Sequence, residues 1–130
     1  MEELIKLNRL GFNKVGDMNW HNHAGIMTVP MQYAVKFKIP YVIYGETNDI
    51  LGIYKPEDYV EYTNRSRVEF SMRGYEWDQF IKNNNEGLTY KDMNWAKYPS
   101  DKEIIENKVR GLYLGNYFKL DPNKNTKMII

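Results

Sequence analysis

The chain has 130 residues, which is enough for one domain with a single hydrophobic core and too few for two. Its 18 basic and 17 acidic side chains nearly cancel, so charge provides no reason to expect binding to nucleic acid or to an anionic membrane. Cysteine is absent, which excludes disulfides, thiolate zinc sites, iron–sulfur clusters and cysteine nucleophiles within this chain.

The N-terminal segment, MEELIKLNRLGF, is charged and amphipathic, unlike a signal sequence. Leu4, Leu7 and Leu10 follow helical spacing and Gly11 is a natural stop, so the segment predicts a short helix over residues 2–10. No apolar run in the chain approaches the ~18 residues of a membrane span. We therefore expect a cytoplasmic protein without membrane insertion.

Residues 16–25, GDMNWHNHAG, contain both histidines of the chain. Gly, Asn and His dominate this segment, which predicts a loop. From residue 29 onwards, apolar side chains recur at helical spacing and predict a helix over residues 29–38. Thr28 would cap its N-terminus, and Pro30 would fall in the first turn, where a missing N–H costs little.

Two short apolar runs predict strands. Residues 41–45, in YVIYGE, suit a strand that is buried on both faces of a parallel sheet. Residues 111–115, in RGLYLGNYF, are the second candidate. A helix is predicted just before it, over residues 100–107, because Ser100 followed by Glu103 forms a capping box.

The rest of the chain supplies no further strand. Residues 47–74 are polar and predict an irregular excursion, and residues 75–83 predict an amphipathic helix. Two parallel strands with helices between them indicate an α/β fold, but a doubly wound sheet needs about four to six strands. We therefore expect residues 1–130 to be a single partial domain, completed by another copy, a partner or the rest of a larger protein.

The segment GDMNWHNHAGIMTVPMQYAVKFKIPYVIYGE resembles the middle of the bacterial N-acetyl sugar amidotransferases, and YPSDKEIIENKVRGLYLGNYF resembles their C-terminal part. The resemblance covers nearly the whole chain. In the first segment, the matching residues are Gly16, Asp17, Trp20, His23, Gly25, Pro30, Gln32, Ala34, Val35, Lys36, Ile39, Pro40, Ile43, Gly45 and Glu46.

This resemblance implies a fold like that of the adenine nucleotide alpha hydrolases, including the PP-loop ATP pyrophosphatases, with a doubly wound parallel sheet. It implies that ATP and Mg²⁺ activate the N-acetyl carbonyl of a sugar or nucleotide-sugar, and that ammonia from a separate glutaminase subunit converts it to an acetamidino group. The biological context of the family is lipopolysaccharide and other surface-glycan biosynthesis, including sugars of the pseudaminic acid type.

The chain departs from the family in two respects. It lacks the Ser-Gly-Gly-x-Asp-Ser loop that would cradle phosphate, and it has Asn19 and Asn22 where many members have cysteine. We therefore expect a fragment from the central and C-terminal parts of such an enzyme. On its own, this fragment is expected neither to hydrolyse ATP nor to bind it tightly. The alternative is a non-catalytic remnant or module that binds sugar or a partner without turnover.

His21 and His23 admit three interpretations. In an extended loop, both rings would point to one face and could bind zinc, but a further ligand such as Asp17 or Glu46 would be needed. Alternatively, the rings contact the substrate or the adenylate that ATP would form on it, or they are structural. We favour a substrate contact over a metal site. His23 matches the family pattern and is predicted to be catalytic, stabilising charge on the oxygen of the reacting amide.

Glu46 is the second predicted catalytic residue, because it follows the first predicted strand and ligands of open α/β sheets bind at the carboxyl ends of strands. It would hold a sugar or ribose hydroxyl, bind Mg²⁺ through water or accept a proton from ammonia; capping the next turn is the structural alternative. The predicted substrate contacts are Trp20, His21, Gly25, Gly45, Asn48 and Arg110. Packing is the alternative for Trp20, and a structural role is the alternative for Arg110. Arg65, Arg67 and Arg73 would either contact a phosphate or nucleotide-sugar or form a solvated segment, and the sequence leaves their role open.

Overall fold

The computed structural model describes residues 2–45, 77–82, 84–114 and 122–129, and within these ranges the chain is mainly helical. The elements in chain order are α1 (Glu2–Val15), α2 (Trp20–Phe37), β1 (Tyr41–Tyr44), α3 (Trp77–Ile81), a 3₁₀ turn (Asn94–Ala96), α4 (Asp101–Glu106), β2 (Arg110–Tyr113) and α5 (Pro122–Ile129). The expected mixed α/β class is confirmed. The excursion predicted over residues 47–74 lies outside the described residues.

Strands β1 and β2 are adjacent and parallel, as the sequence predicts. Tyr41 pairs with Arg110 and Tyr44 pairs with Tyr113. Helix α2 covers one face of this two-stranded sheet, where the Tyr44 hydroxyl donates to the carbonyl of Met27 at 3.1 Å. The opposite face carries the exposed side chains of Tyr41 and Ile43. Parallel sheets are ordinarily covered on both faces, so the described residues form only one layer over this sheet.

The largest core cluster joins α1, α2, α3 and the segment around the 3₁₀ turn. Its centre is Trp20, whose ring stacks on Phe80 with a centroid distance of 3.8 Å and an interplanar angle of 13°. A second cluster of Met31, Ala34, Ile104 and Val109 attaches α2 to α4 and to the start of β2. Helix α2 therefore contributes to both clusters and organises the described part of the fold. None of the described helices is long and apolar enough to cross a membrane.

Helix α1 is longer than predicted. It passes through Gly11, the expected stop, and ends at Val15. Gly16 then adopts a left-handed conformation with φ of 70°, and its N–H donates to the carbonyl of Phe12 at 2.9 Å. Glycine favours this conformation because it has no Cβ. The helix therefore ends at the second glycine, where the backbone needs a positive φ, and not at the first.

The prediction of a loop over residues 16–25 is wrong from Trp20 onwards, because α2 begins there and runs to Phe37. Thr28 is consequently a buried residue in the helix interior, and Pro30 also lies inside the helix. A proline at an interior position typically costs about 3 kcal/mol through its missing hydrogen bond and steric clash. Tertiary packing offsets this cost, since the helix buries apolar side chains along one side: Trp20, Ala24, Met27, Met31 and Ala34.

Helices α2 and α4 end in the same way. Lys38 and Lys108 follow them with φ of 56° and 53°, the two positive values outside glycine among the described residues. In each case the next N–H, of Ile39 or Val109, donates to the helix carbonyl five residues earlier, at 2.9 or 3.1 Å. This left-handed terminus reverses the chain in a few residues. Each of the two helices is therefore followed within a few residues by one of the two paired strands.

Helix α4 begins with the capping box that the sequence predicts. The Ser100 N–H donates to Glu103 Oε2 at 2.8 Å, and the Glu103 N–H donates to Ser100 Oγ at 3.3 Å. The hydrogen bonds from the Ser100 hydroxyl and N–H favour the ionised form and hold the pKa of Glu103 below its usual range. The capping contribution is therefore present above the unfolded-state pKa of Glu103 and is lost as pH falls through the lowered folded-state value.

Candidate functional site

An aspartate–histidine pair marks the start of α2. Asp17 Oδ2 lies 3.3 Å from His23 Nδ1, and Asp17 Oδ1 accepts a hydrogen bond from the Asn19 N–H at 2.8 Å. The Asp17 side chain is 17% exposed, whereas that of His23 is 48% exposed. The carboxylate is thus held from within the protein while the imidazole faces solvent. Carboxylate–histidine pairs are suited to proton transfer and to metal binding.

His21 lies on the same turn of α2 as His23 but on the opposite side of the helix. Side chains two residues apart on a helix point in directions about 200° apart, so the rings of His21 and His23 do not share one face. His21 is buried, and its Nδ1 has no hydrogen-bond partner among the described residues. The extended geometry that would let both rings bind one zinc ion is therefore not formed. Within the described ranges, no group of three or more His, Asp and Glu side chains could hold a metal ion.

Trp20 is fully buried between two aromatic rings. In addition to its stack on Phe80, it contacts Trp95 with a centroid distance of 6.2 Å and an angle of 52°. A sugar platform needs an exposed ring face, which Trp20 lacks in this structure. The packing interpretation of Trp20 accounts for its position, whereas the neighbouring His23 is exposed.

Gly25 and Gln32 attach α2 to the 3₁₀ turn. A Cβ on Gly25 would lie 3.7 Å from the ring of Trp95, so the helix and the turn approach closely there. The Gln32 amide donates to the carbonyls of Asn94 and Lys97 at 3.0 and 2.7 Å. Gly25, which the sequence suggests as a substrate contact, is therefore a packing position in this structure. Sequence reasoning did not identify Gln32 as the residue that fastens the helix to the turn.

Gly11 of α1 fixes the backbone of Asp17. The Asp17 N–H donates to the Gly11 carbonyl at 3.4 Å. A Cβ at Gly11 would lie 2.5 Å from the backbone oxygen of Asp17 and 3.2 Å from the Trp20 Cβ. Only glycine allows this approach without a backbone shift. Helix α1 thereby positions the carboxylate that contacts His23.

We expect Gly11→Ala to destabilise the fold by about 1–3 kcal/mol, because the added methyl group overpacks against backbone that cannot rotate away. Gly25→Ala is the matched control, since it is also a helix-interior glycine, but its Cβ would make ordinary van der Waals contact. The higher helix propensity of alanine should make that change neutral or stabilising by up to about 1 kcal/mol. Urea unfolding of both variants measures the difference; equal effects would contradict the proposed close approach at Gly11.

The two ends of the sheet separate the remaining predicted site residues. Gly45 is exposed at the carboxyl end of β1, beside the part of α2 that contains Met27, one turn after His23. Arg110 lies at the amino end of β2, where its N–H donates to the Pro40 carbonyl at 2.9 Å. Four residues of strand put these ends about 10 Å apart. Gly45 thus follows the strand end whose Tyr44 contacts Met27 of α2, and the Arg110 backbone is at the other end of the sheet.

The predicted residues Glu46 and Asn48 lie outside the described residues, as do Arg65, Arg67 and Arg73. Sequence reasoning considered Asp17 as a metal ligand and missed its contact with His23. The six-residue spacing of the two side chains could have indicated this contact only if the helix had been predicted to begin at Trp20.

The chain matches no model of a known protein family, and no curated protein matches it.

Proposed function

We propose that this chain is part of an ATP-dependent amidotransferase that converts the N-acetyl group of a sugar to an acetamidino group in bacterial surface-glycan biosynthesis. A glutaminase subunit would supply the ammonia, and β1 and β2 would belong to a larger doubly wound parallel sheet. The motif resemblance described above motivates this proposal. The observation that carries it is the half-exposed His23, held by Asp17 one turn before Met27, whose carbonyl contacts Tyr44 at the carboxyl end of β1.

The position of His23 fits this role because ligands of open α/β sheets bind outside the carboxyl ends of the strands. The Tyr44 hydroxyl contacts the Met27 carbonyl, so the end of β1 lies against the N-terminal half of α2. A substrate at this edge would lie near the His23 ring. In the proposed enzyme, His23 and Glu46 both act on the acetamido group.

We expect this chain alone not to bind ATP tightly. A phosphate cradle needs successive backbone N–H groups at a glycine-rich turn that opens a helix, and no Ser-Gly-Gly-x-Asp-Ser segment occurs in the sequence. The phosphates of ATP would therefore be held by a segment other than these 130 residues, whereas Glu46 of this chain would be a candidate to bind Mg²⁺ through water. The proposed contribution of this chain is the sugar side of the site.

The decisive assay joins the chain to a segment that carries the phosphate loop and supplies N-acetyl sugars, ATP and ammonium. We expect ATP-dependent replacement of the acetamido oxygen by nitrogen, which mass spectrometry detects, together with release of AMP or ADP. The matched control omits the phosphate-loop segment. Sugar binding without turnover in the joined protein would favour the non-catalytic module, and neither binding nor turnover with any N-acetyl sugar would refute the proposal.

A further inference from the structure

The hydrogen bond between Asp17 and His23 can form in one direction only, with the histidine as the donor. A carboxylate has only hydrogen-bond acceptors, whereas each nitrogen of a neutral imidazole is either a donor or an acceptor. The 3.3 Å contact joins Asp17 Oδ2 to His23 Nδ1, so a hydrogen bond there requires the proton to reside on Nδ1. The other ring nitrogen, Nε2, then carries a lone pair.

The carboxylate cannot readily turn away from this arrangement, because each part of Asp17 has a separate partner. Its Oδ1 accepts from the Asn19 N–H, its backbone N–H donates to Gly11, and its backbone carbonyl accepts from the Trp20 N–H at 3.3 Å. These bonds tie Asp17 to both α1 and α2. His23 is itself on α2, so the two side chains are presented by connected, regular structure.

We infer that Asp17 is a positioning residue that holds neutral His23 in the Nδ1–H form and makes the half-exposed ring a proton acceptor at Nε2. This inference rests on the proposed function and changes one detail of it. A neutral ring with its proton on Nδ1 cannot donate to the acetamido oxygen from Nε2. His23 is therefore a base for the incoming nitrogen in the first instance.

The corresponding proton transfer is balanced. As the ammonia lone pair forms a bond to the activated carbon, the double bond between that carbon and the acetamido nitrogen opens, its π electron pair moves to the acetamido nitrogen, and the attacking nitrogen becomes cationic. One of its N–H bonds then breaks, its electron pair stays on nitrogen, and the proton bonds to His23 Nε2. The positive charge passes to the imidazolium, which the adjacent Asp17 carboxylate stabilises. The electron pair on the acetamido nitrogen then re-forms the double bond as the carbon–oxygen bond breaks. The oxygen leaves with its bonding electrons and the group that activated it, and the protonated ring can donate to it from the Nε2 N–H.

Nitrogen NMR of the imidazole rings tests the inference directly on the 130-residue chain, at a pH where both rings are neutral. Protonated and lone-pair-bearing ring nitrogens differ strongly in ¹⁵N shift, and the chain contains only two histidines. His23→Gln assigns the signals by removing one set. We expect His23 of the unaltered protein to be protonated on Nδ1.

Asp17→Asn is the informative variant because the two oxygens of Asp17 have different partners. The asparagine oxygen can still accept from the Asn19 N–H, which leaves the amide NH₂ facing His23 Nδ1. A donor at that place favours a lone pair on Nδ1, so the proton should move to Nε2. Asp92→Asn is the control: Asp92 also accepts a backbone N–H, from Thr89 at 2.8 Å, and its loss changes the net charge equally.

A shift of His23 from the Nδ1–H to the Nε2–H form in Asp17→Asn, with no change in Asp92→Asn, supports the inference. Predominant Nε2–H in the unaltered protein overturns it, whether or not the variant folds, and so does an unchanged tautomer in a folded Asp17→Asn protein. The NMR result needs no turnover. A wrong tautomer therefore leaves the amidotransferase proposal standing, and a failed activity assay leaves the tautomer result intact.

Discussion

Trp20→Ala is expected to lower the free energy of unfolding by about 3–5 kcal/mol, the usual cost of truncating a buried tryptophan. Trp20 is fully buried, stacks on Phe80 and contacts Trp95, so alanine would leave a cavity at the centre of the larger core cluster. A domain is typically stable by only about 5–15 kcal/mol. The change should therefore remove much of the stability and lower the urea midpoint of unfolding substantially. The near-ultraviolet circular dichroism signal should be lost at a lower urea concentration than in the unaltered protein.

The matched control is Trp77→Ala. Trp77 packs at the border of the same cluster and meets Tyr90 edge-on, with a centroid distance of 5.3 Å, but it is only partly buried. The neighbourhood can relax towards solvent there, so the loss should be clearly smaller. If the two truncations cost the same, or if Trp20→Ala costs less, Trp20 is not the centre of the core and the α2 start at Trp20 is in doubt.

His23→Ala is expected to reduce turnover by about 10²-fold or more in the phosphate-loop-containing amidotransferase, because a single acid–base or charge-stabilising group contributes about that much. The imidazole is 48% exposed, so its removal should leave folding nearly unchanged. The variant should thus lose turnover while it keeps its stability, which distinguishes a chemical role of His23 from a structural one. The comparison is made by steady-state kinetics with N-acetyl sugar, ATP and ammonia.

Glu46→Gln is the companion variant, since Glu46 is the other predicted catalytic residue. The exposed Asp92→Asn change provides the control for an altered surface charge. If His23→Ala and Glu46→Gln both retain near-full activity, the segment that begins α2 is scaffold and the proposed site is wrong. A loss in His23→Ala alone would keep the imidazole in the mechanism and remove the carboxylate from it.

Local sequence determined the elements whose signals are short-range. The apolar runs within residues 41–45 and 111–115 became the paired strands Tyr41–Tyr44 and Arg110–Tyr113, and Ser100 with Glu103 formed the expected capping box. These features succeed as predictions because the contacts of the capping box lie within one turn, and because each strand is a short apolar run bounded by residues that favour turns. The sequence favoured His23 over His21 through its match to the family pattern, and not through any signal of exposure.

The tertiary structure decided where α2 begins, and with it the chemistry of the site. The local signals at Trp20 conflict, because Asn19 is a favoured residue type for an N-cap whereas Asn and His are weak helix formers and Pro30 lies downstream. The long-range stack of Trp20 on Phe80 and the close approach at Gly11 supply the missing stabilisation. Once the helix starts there, its 3.6-residue period turns His21 into the interior and His23 outward. The same geometry brings Asp17 to the His23 ring. Packing between helices sets this contact, and the spacing of residues in a predicted loop could not indicate it.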